Sequence, residues 1–274
     1  MTNTYYLLGI VVFFSIQKCN KYVPQALDEL TDIVRMQYSL VTLDKICNVD
    51  VLNAQPTDSV PDILQRMRSA KVSSMVIVEQ NIPIGIITER DIVRLVAQSG
   101  QKLTSLCAEQ IMTAPVKTLP YNFEFEQAYE LMQQEQLRHI VVTDQTGGMY
   151  GIVTETDFVQ NLGFEYLAEA KSVESVMEKT VIFITSDNSL AKAFKLMNEC
   201  KISCVIIGND SCAEGILSER DLVRLLDDKV DLETSQAGDY MSSPVTSIVV
   251  DASLLEARKL MQEQHIRRLA VTNS

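Results

Sequence analysis

The chain of 274 residues has no tryptophan, two histidines, 6% aromatic residues and a shortage of positive charge. With so few aromatic side chains, we expect an aliphatic core of valine, isoleucine, leucine and methionine. Lysine and arginine number 24 against 36 acidic residues, which gives a net charge of −12. Because a surface this acidic repels a polyanion, we expect no nucleic-acid partner, and an anionic ligand would need a local cluster of cations.

The sequence also lacks the motifs of metal sites and of common catalytic sites. It has no C-x2-C pair, no G-x4-G-K-[ST] loop, no G-x-G-x-x-G turn and no nucleophile paired with a base, so we expect no metal and no enzyme. The six cysteines are too dispersed for a small disulfide-stapled domain, which favours a reducing, cytoplasmic location. We interpret Cys200, Cys204 and Cys212 as small core residues.

No apolar run is long enough to cross a membrane as a helix. The longest candidate, Tyr5–Ile16, has 12 residues where a spanning helix needs about 20, and no basic residue precedes it as in a signal peptide. Membrane association is therefore not expected. The role of segment 1–20 stays open between a buried strand, a helix that packs on a partner and a mis-assigned start codon. Segment 21–45 is assigned as a leading helix and linker, with the helix over Pro24–Leu40.

What the sequence does contain is a fourfold repeat. Methionines in four helical stretches lie 65, 65 and 64 residues apart. A sulfur-containing residue, methionine or cysteine, lies 20 positions before each of them. The helical methionines are Met67, Met132, Met197 and Met261, and the preceding residues are Cys47, Met112, Met177 and Met241. Glycines follow in the first three copies at Gly85, Gly151 and Gly215. Chance does not keep this register over four copies.

Each copy has the pattern of a β-α-β-β-α unit. A short β run precedes an amphipathic helix, and two apolar strands and a second helix follow. The predicted fold is therefore α/β, of the α+β type. Repeat 1 spans 46–98, repeat 2 spans 108–163, repeat 3 spans 173–230 and the incomplete repeat 4 spans 237–274. Since one such unit buries little apolar surface, we expect consecutive repeats to pair into two modules.

Repeat 4 is cut short in the sequence. Its glycine and its second helix would fall beyond Ser274, so Leu269–Val271 is expected to be an unpaired strand edge. We therefore expect the chain to be a fragment of a longer protein.

A T/S-x-x-D motif follows the second strand of the first three repeats. Its residues are Thr88 and Asp91, Thr154 and Asp157, and Ser218 and Asp221. An aspartate in the first turn of a helix can accept both hydroxyls of a ribose, and the free N–H groups of the helix N-terminus can hold a phosphate. The same spacing is also a capping box that any helix can use, although three copies in register favour a binding role.

Basic residues alternate at the entry to the middle strand. Arg138 and His139 occupy this place in repeat 2, and Arg267 and Arg268 in repeat 4, whereas the odd repeats have serine or cysteine there. Each consecutive pair would then have one cationic repeat, which places positive charge in its central cleft. Surface charge is the alternative. The first pair, which contains both Asp91 and Asp157, is the favoured ligand site.

Over residues 45–274 the repeat resembles the CBS domain, whose tandem pairs form Bateman modules that sense adenine nucleotides. In that family the hydroxyl and carboxylate of T/S-x-x-D contact ribose and phosphate, and basic residues of the facing repeat hold phosphates. The resemblance implies that the ten residues of the motifs and strand entries bind a nucleotide. The pattern is also similar to the sensory region of bacterial signalling proteins.

The expected function is a non-catalytic regulatory module. It needs no cofactor, binds AMP, ADP, ATP or a related nucleotide as its regulatory ligand, and transmits this to a downstream effector domain or partner. A homodimer or intramolecular stacking of modules is expected. The alternative function is a scaffold for dimerisation or interaction that binds no ligand, and the choice of nucleotide stays open.

Overall fold

The computed structural model of the chain describes residues 5–9, 41–101, 103, 105–161, 172–175, 177–209, 211–264 and 266–273. The chain divides into two compact units. Unit 1 comprises Met1–Val49, Lys117–Val181 and Val245–Ser274, and unit 2 comprises Asp50–Val116 and Ile182–Pro244. The described parts of repeats 2 and 4 thus lie mainly in unit 1, and those of repeats 1 and 3 in unit 2.

Repeat 1 shows the order of elements that its sequence predicts. Strand β2 (Asn53–Ala54) leads into helix α1 (Val60–Ala70), and strands β3 (Ser74–Glu79) and β4 (Ile82–Thr88) precede helix α2 (Glu89–Ser99). The apolar residues of α1 that recur every three or four positions are buried, as an amphipathic helix requires. Periodicity therefore decides which face of the helix packs.

Helix α1 begins and ends where its sequence indicates. The Ser59 hydroxyl accepts a backbone N–H of the first turn, and Pro61 fits that turn because it has no N–H to leave unsatisfied. The helix ends at Lys71, whose φ of 55° is in the left-handed region. Gln136 and Lys201 hold the same conformation after the corresponding helices of repeats 2 and 3. The repeats thus share their helix ends as well as their core positions.

Repeats 2 and 3 contain the same elements. Repeat 2 has α3 (Ala108–Ile111), β5 (Thr118–Pro120), α4 (Phe125–Gln134), β6 (His139–Thr143), β7 (Met149–Thr154) and α5 (Glu155–Asn161). Repeat 3 has β8 (Phe183–Ile184), α6 (Leu190–Glu199), β9 (Cys204–Asn209), β10 (Cys212–Ser218) and α7 (Glu219–Asp227). In each three-stranded sheet the middle strand pairs parallel with the first strand and antiparallel with the last. The predicted fold class is confirmed.

Repeat 4 is completed by a strand from the opposite end of the chain. Its own elements are α8 (Ala237–Tyr240), β11 (Ser247–Val249), α9 (Leu254–Glu263) and β12 (Arg268–Thr272). Strand β1 (Tyr5–Gly9) pairs antiparallel with β12 along its whole length, and β11 pairs parallel with the other edge. The expectation that Leu269–Val271 is an unpaired edge is therefore wrong.

Strand β1 occupies the place that β4 holds in repeat 1. Gly9 pairs with Arg268, the first residue of β12, just as Thr88 pairs with Ser74, the first residue of β3. The apolar segment 1–20 is thus a strand in its described part, and Gly9 stands where the other repeats have the hydroxyl of T/S-x-x-D. No described helix is long and apolar enough to cross a membrane. The helix expected over Pro24–Leu40 lies outside the described residues.

One apolar core joins repeats 1 and 3 in unit 2. Helix α2 packs against α6 and α7, and α7 also packs against α1. The residues buried in this core include Ile63, Met67 and Ile92 from repeat 1 and Phe194 and Leu222 from repeat 3. Sharing a core compensates for the small size of one repeat. In unit 2 the shared core therefore joins two repeats that are two places apart in the chain.

Unit 1 has a separate core for each of its repeats. In repeat 2 the rings of Phe125 and Tyr129 pack around Phe158, with centroids 5.2 and 5.6 Å apart. Leu269 and Val271 of β12 are fully buried in the core of repeat 4, which is aliphatic. The prediction of an aliphatic core therefore needs correction in repeat 2, which gathers three aromatic side chains.

Consecutive repeats exchange the segments that lead into them. Helix α3, which leads repeat 2, packs in the core of unit 2, and Thr113 behind it forms two backbone hydrogen bonds with Ile86 of repeat 1. The one-turn helix Leu43–Lys45, which leads repeat 1, packs instead in the core of repeat 2. The same exchange relates repeats 3 and 4, through Val173–Ser175 and α8. Consecutive repeats are therefore tied together by their leading segments.

Glycines let the exchanged segments lie close to the sheets. A Cβ atom added at Gly85 would lie 2.3 Å from Met112 Sδ, and one at Gly151 would lie 2.9 Å from Cys47 Sγ. Gly215 has the same relation to Met241. Three of the four residues that stand 20 positions before a helical methionine therefore cover a glycine of the neighbouring repeat. Burial also raises the pKa of the Cys47 thiol, which disfavours its reactive thiolate.

Deleting residues 1–9 should destabilise unit 1. Without β1, the N–H and C=O groups on one edge of β12 lose their partners, and each lost hydrogen bond costs about 1 kcal/mol. We expect the free energy of unfolding to fall by about 2 kcal/mol or more, and hydrogen exchange at 268–272 to accelerate. A deletion of 1–4 is the control. Equal exchange rates in the two deletion variants would contradict this pairing.

The substitution Gly85→Ala should weaken the attachment of the segment that leads repeat 2. The new Cβ would overlap Met112, so we expect unfolding measured in urea to show a loss of about 1–3 kcal/mol. In the background of Met112→Ala the same change should cost less, because the thioether is gone. Equal costs in both backgrounds would show that the two residues do not contact each other.

Candidate functional site

In all three T/S-x-x-D motifs the aspartate accepts hydrogen bonds from the first residue of the motif, and in repeats 1 and 3 the two residues form a complete capping box. In repeat 1 the backbone N–H and the hydroxyl of Thr88 donate to Asp91 Oδ2 at 2.8 and 2.6 Å. In repeat 2, Thr154 makes the same two bonds to Asp157 Oδ2, both at 2.7 Å. Ser218 and Asp221 repeat the arrangement at 2.9 and 2.8 Å. The alternative that the sequence left open, a capping role, is thus present in every motif.

Asp91 has further partners on its second carboxylate oxygen. Arg94, one helical turn along α2, donates to Asp91 Oδ1 at 2.7 Å, and the Thr113 hydroxyl donates to the same atom at 2.9 Å. The Asp91 side chain is 6% exposed. A carboxylate has about four lone-pair sites, so these four donors saturate it.

Asp221 has the same kind of arginine partner in repeat 3. Arg224 lies 3.3 Å from Asp221 Oδ1 and also donates to the carbonyl oxygen of Tyr240 in the segment that leads repeat 4. In repeat 2 the corresponding residue, three positions after Asp157, is Gln160. Sequence analysis overlooked both arginines, although their three-residue spacing from the aspartate is a signal for a helical ion pair.

Two ion pairs cross between the repeats of unit 2. Arg90 Nε lies 3.1 Å from Glu219 Oε1, and Arg220 Nε lies 3.5 Å from Glu89 Oε1. Both glutamates are buried, and a buried carboxylate must be paired to be tolerated. The pairing is reciprocal, because each arginine contacts the glutamate of the other repeat. These arginines join the first turns of α2 and α7, directly beside the two aspartates.

The cations of the strand entries all lie in unit 1. Arg138 and His139 open β6, and Arg267 and Arg268 lie at the start of β12. Ser73, Ser74, Ser203 and Cys204 take the same places in unit 2. The alternation seen in the sequence therefore places the basic strand entries in unit 1 and the serine and cysteine entries in unit 2.

His139 is held in its neutral form. Its burial and the positive charges of Arg138 and Arg267 lower its pKa to about 3. The influence of Arg267 shows that the strand entries of repeats 2 and 4 are close enough to interact. At neutral pH the cluster thus combines arginines with an uncharged imidazole, which can still donate one N–H.

In repeat 2 the motif and the cations adjoin each other. Thr154 pairs with His139 across strands β6 and β7, and the N–H of Glu155 donates to the carbonyl of Arg138 at 3.3 Å. Of the predicted residues, unit 1 contains Thr154, Asp157, Arg138, His139, Arg267 and Arg268. Unit 2 contains Thr88, Asp91, Ser218 and Asp221.

Two cavities of unit 2 lie away from the motifs. One of about 410 Å³ lies between the C-terminal end of α2 and the start of α6, and the other, of about 610 Å³, lies between the start of α1 and the end of α7. Gln101 lines both, and it bonds to the backbone of Val230 and Leu232. These cavities flank the opposite helix ends from Asp91 and Asp221, so the motifs do not line them.

The cysteines around residue 204 differ in their environment. Cys204 is buried in its strand, as expected, but Cys200 and Cys212 are exposed, so their interpretation as core residues is wrong. Cys200 follows the end of α6 and Cys212 begins β10 beyond a turn, where neither faces the core. The cysteines among the described residues have free thiols.

A family model for the CBS domain matches the chain four times. The matches cover residues 43–98, 108–163, 173–228 and 237–274. They follow the repeats described above, including the repeat that β1 completes.

Relatives share about half of the chain. An uncharacterized protein of Methanopyrus kandleri is 36% identical over 121 residues, which are 44% of this chain and 62% of the relative. A mitochondrial CBS domain-containing protein of Arabidopsis thaliana is 32% identical over 127 residues. The match covers 44% of this chain and 61% of the relative. A homoserine O-acetyltransferase of Methanobrevibacter ruminantium is 27% identical, and the match spans 25% of that enzyme.

One solved structure is similar over most of the fold. It is a protein of Methanocaldococcus jannaschii described as a putative archaeal homolog of g-AMPK, with a TM-score of 0.70 and 18% sequence identity. The similarity covers 82% of this chain and 91% of the other. At this identity the similarity shows the fold alone.

The substitution His139→Gln should remove part of the acid sensitivity of the protein. The pKa of about 3 in the folded state lies below the value of about 6.5 in an unfolded chain, so the unfolded state binds more protons between these values. Stability should therefore fall as the pH falls below about 6.5. Relative to the variant, the wild type should lose about 1–2 kcal/mol between pH 7 and pH 5 in urea unfolding.

The second histidine, His265, is present in both proteins, so its contribution cancels in this comparison. Parallel stability curves for wild type and variant would show that His139 titrates normally.

Proposed function

The chain belongs to the CBS-domain family, and on that premise we propose that it is a regulatory module that binds an adenine nucleotide. CBS repeats generally have a regulatory role. What we propose for this chain is that the regulatory ligand is an adenine nucleotide. Occupancy would be transmitted to an output domain or to a partner protein. The proposal assigns no catalysis to the four repeats, and the acetyltransferase activity of a relative belongs to that longer protein.

The observation that carries the proposal is the composition of unit 1. It combines a ribose-type motif, Thr154 and Asp157, with the basic residues of two strand entries. A chain with a net charge of −12 repels anions, so four basic side chains in the unit that contains this motif would help it to hold phosphates. A ligand that carries both a sugar diol and phosphates satisfies both parts.

Each residue has a distinct role in this mechanism. The hydroxyls of the ribose donate to the Asp157 carboxylate, since charge-assisted hydrogen bonds are the stronger kind. Arg138, Arg267 and Arg268 donate to phosphate oxygens, where the planar guanidinium suits bidentate contacts. Neutral His139 donates an N–H without adding a third positive charge next to Arg138 and Arg267. Binding that favours one arrangement of the repeats over another would supply the regulatory signal.

A ligand-free scaffold is the second candidate, and unit 2 favours it. Its two repeats share one core, and the carboxylates of its motifs already have protein partners. Such a unit needs no ligand to be complete. A concentration-dependent dimer whose sedimentation and melting temperature do not respond to nucleotides would favour this function. We propose a homodimer and a cytoplasmic location for either function.

Two substitutions should separate the parts of the nucleotide site. Asp157→Asn keeps an oxygen that can cap the helix but removes the charge, so binding of adenosine, AMP and ADP should each weaken by about tenfold in calorimetric titration. Arg267→Gln should weaken AMP and ADP binding by a similar factor and leave adenosine binding unchanged, because only the phosphates contact it.

Asp251→Asn is the matched control, since Asp251 is an exposed residue in a turn of the same unit. It should bind all three compounds like the wild type. If AMP, ADP, ATP and S-adenosylmethionine all fail to bind the folded protein at millimolar concentration, the proposed function is wrong.

A further inference from the structure

The two cavities of unit 2 occupy equivalent places in repeats 1 and 3. Residues that line the first cavity have counterparts 130 positions away in the second, which is the sequence spacing of these two repeats. The counterparts include Val96 and Leu226, Gly100 and Val230, and Lys192 and Asp62. Because Gln101 lines both cavities, they lie side by side, and we call the surface that they form the paired-cavity face.

The two halves of the paired-cavity face differ in charge. Among the described lining residues, the first cavity has two lysines and one glutamate, and the second has three aspartates and one lysine. They are Lys192, Lys195 and Glu233 in the first cavity, and Asp62, Asp227, Asp231 and Lys229 in the second. The inversion is clearest at the third residue of the helix beside each cavity, which is Lys192 in α6 and Asp62 in α1.

We propose that the paired-cavity face is a docking surface for a second copy of this chain. Two copies with a net charge of −12 repel each other, so their contact must place basic residues of one copy against acidic residues of the other. A two-fold axis through the middle of the face, near Gln101, brings the basic half of each copy onto the acidic half of the other. The inference names the surface of the homodimer proposed above and rests on that proposal, but not on nucleotide binding.

The second cavity is suited to a lysine of the other copy. Leu64 and Leu103 are buried residues that line it, and Asp62 and Asp231 are exposed residues of the same lining. A lysine side chain can pack its methylene groups against apolar residues while its ammonium group contacts a carboxylate. The volume of about 610 Å³ leaves room for such a side chain.

The charged residues of the face can exchange their present partners for those of a second copy. Asp62 is 50% exposed and lies 3.5 Å from Arg66, and Lys195 is 65% exposed and lies 3.9 Å from Glu199. Exposed ion pairs of this kind contribute little to stability, so replacing them costs little. Asp227 differs, because an arginine of α1 holds its carboxylate at 2.6 Å. We therefore assign it to the internal structure of unit 2.

Exchanging residues between the two repeats tests the proposal. Lys192→Asp makes the basic half acidic, and Asp62→Lys makes the acidic half basic. In sedimentation equilibrium at low salt, each single variant should raise the Kd of the dimer by about tenfold or more, because a two-fold interface contains each contact twice. The double variant should dimerise like the wild type, since opposite charges face each other again. High salt should weaken the wild-type dimer.

Lys259→Asp is the matched control. Lys259 lies in the corresponding helix of repeat 4, is 75% exposed and lies 3.9 Å from Glu263, as Lys195 does from Glu199. It belongs to unit 1, so its replacement should leave the Kd of the dimer unchanged. Lys192 also lowers the pKa of the neighbouring Asp187 by its charge, and Lys192→Asp removes that attraction. Rescue by Asp62→Lys would exclude this local effect as the cause, because Asp62 lines the other cavity.

The outcomes separate the surface from the homodimer and from nucleotide binding. If the wild type is a dimer and the single variants do not change its Kd, the paired-cavity face is refuted while the homodimer stands. If the double variant stays as weak as the single variants, the pairing of basic with acidic halves is refuted. If the wild type is a monomer at millimolar concentration, both the homodimer and this surface are wrong, and the cavities have a different occupant.

Titration with ADP is the independent readout. The residues proposed to bind the nucleotide lie in unit 1, so all variants should bind ADP like the wild type. A failure of nucleotide binding would then appear in these titrations and leave the sedimentation result as it is. Circular dichroism should first show that every variant is folded.

Discussion

The size of one repeat is the constraint on which the rest of the structure depends. A β-α-β-β-α unit of this length has two helices and a three-stranded sheet, which bury too little apolar surface to be stable alone. The chain meets this constraint in two ways. Helices of repeats 1 and 3 share one core, and the leading segments of consecutive repeats are exchanged, with a methionine or cysteine over a glycine. Neither way requires a ligand, so the proposed binding residues are carried by a framework that is already stabilised.

Charge is distributed over this framework unevenly. In unit 2 the arginines near the motifs have carboxylate partners from the same unit, and two of these pairs connect different repeats. In unit 1 the basic residues gather at the strand entries and keep His139 neutral. Nearly identical motifs are thus embedded in different electrostatic surroundings. A repeat protein can in this way use one copy to bind and another to hold its own structure.

The sequence predicts those features that depend on local spacing. The methionine period located the helices, the glycines located the second strands, and the T/S-x-x-D spacing located three helix starts, of which those in repeats 1 and 3 are capping boxes. Features that depend on distant pairing were out of its reach. The pairing of β1 with β12 joins segments more than 250 residues apart, and no local pattern marks Tyr5–Gly9 as the partner of Arg268–Thr272. The same applies to the pairing of Arg90 with Glu219, where a glutamate adjacent in sequence was an equally good candidate.

The closure of repeat 4 also determines where the chain can be extended. Tyr5 lies opposite Thr272 in the register of β1 and β12, so the first and last strands of the described chain begin and end side by side. A domain fused ahead of Tyr5 and one fused after Thr272 would depart from the same margin of one sheet. A force applied to either domain would therefore act on the same antiparallel pairing of β1 with β12.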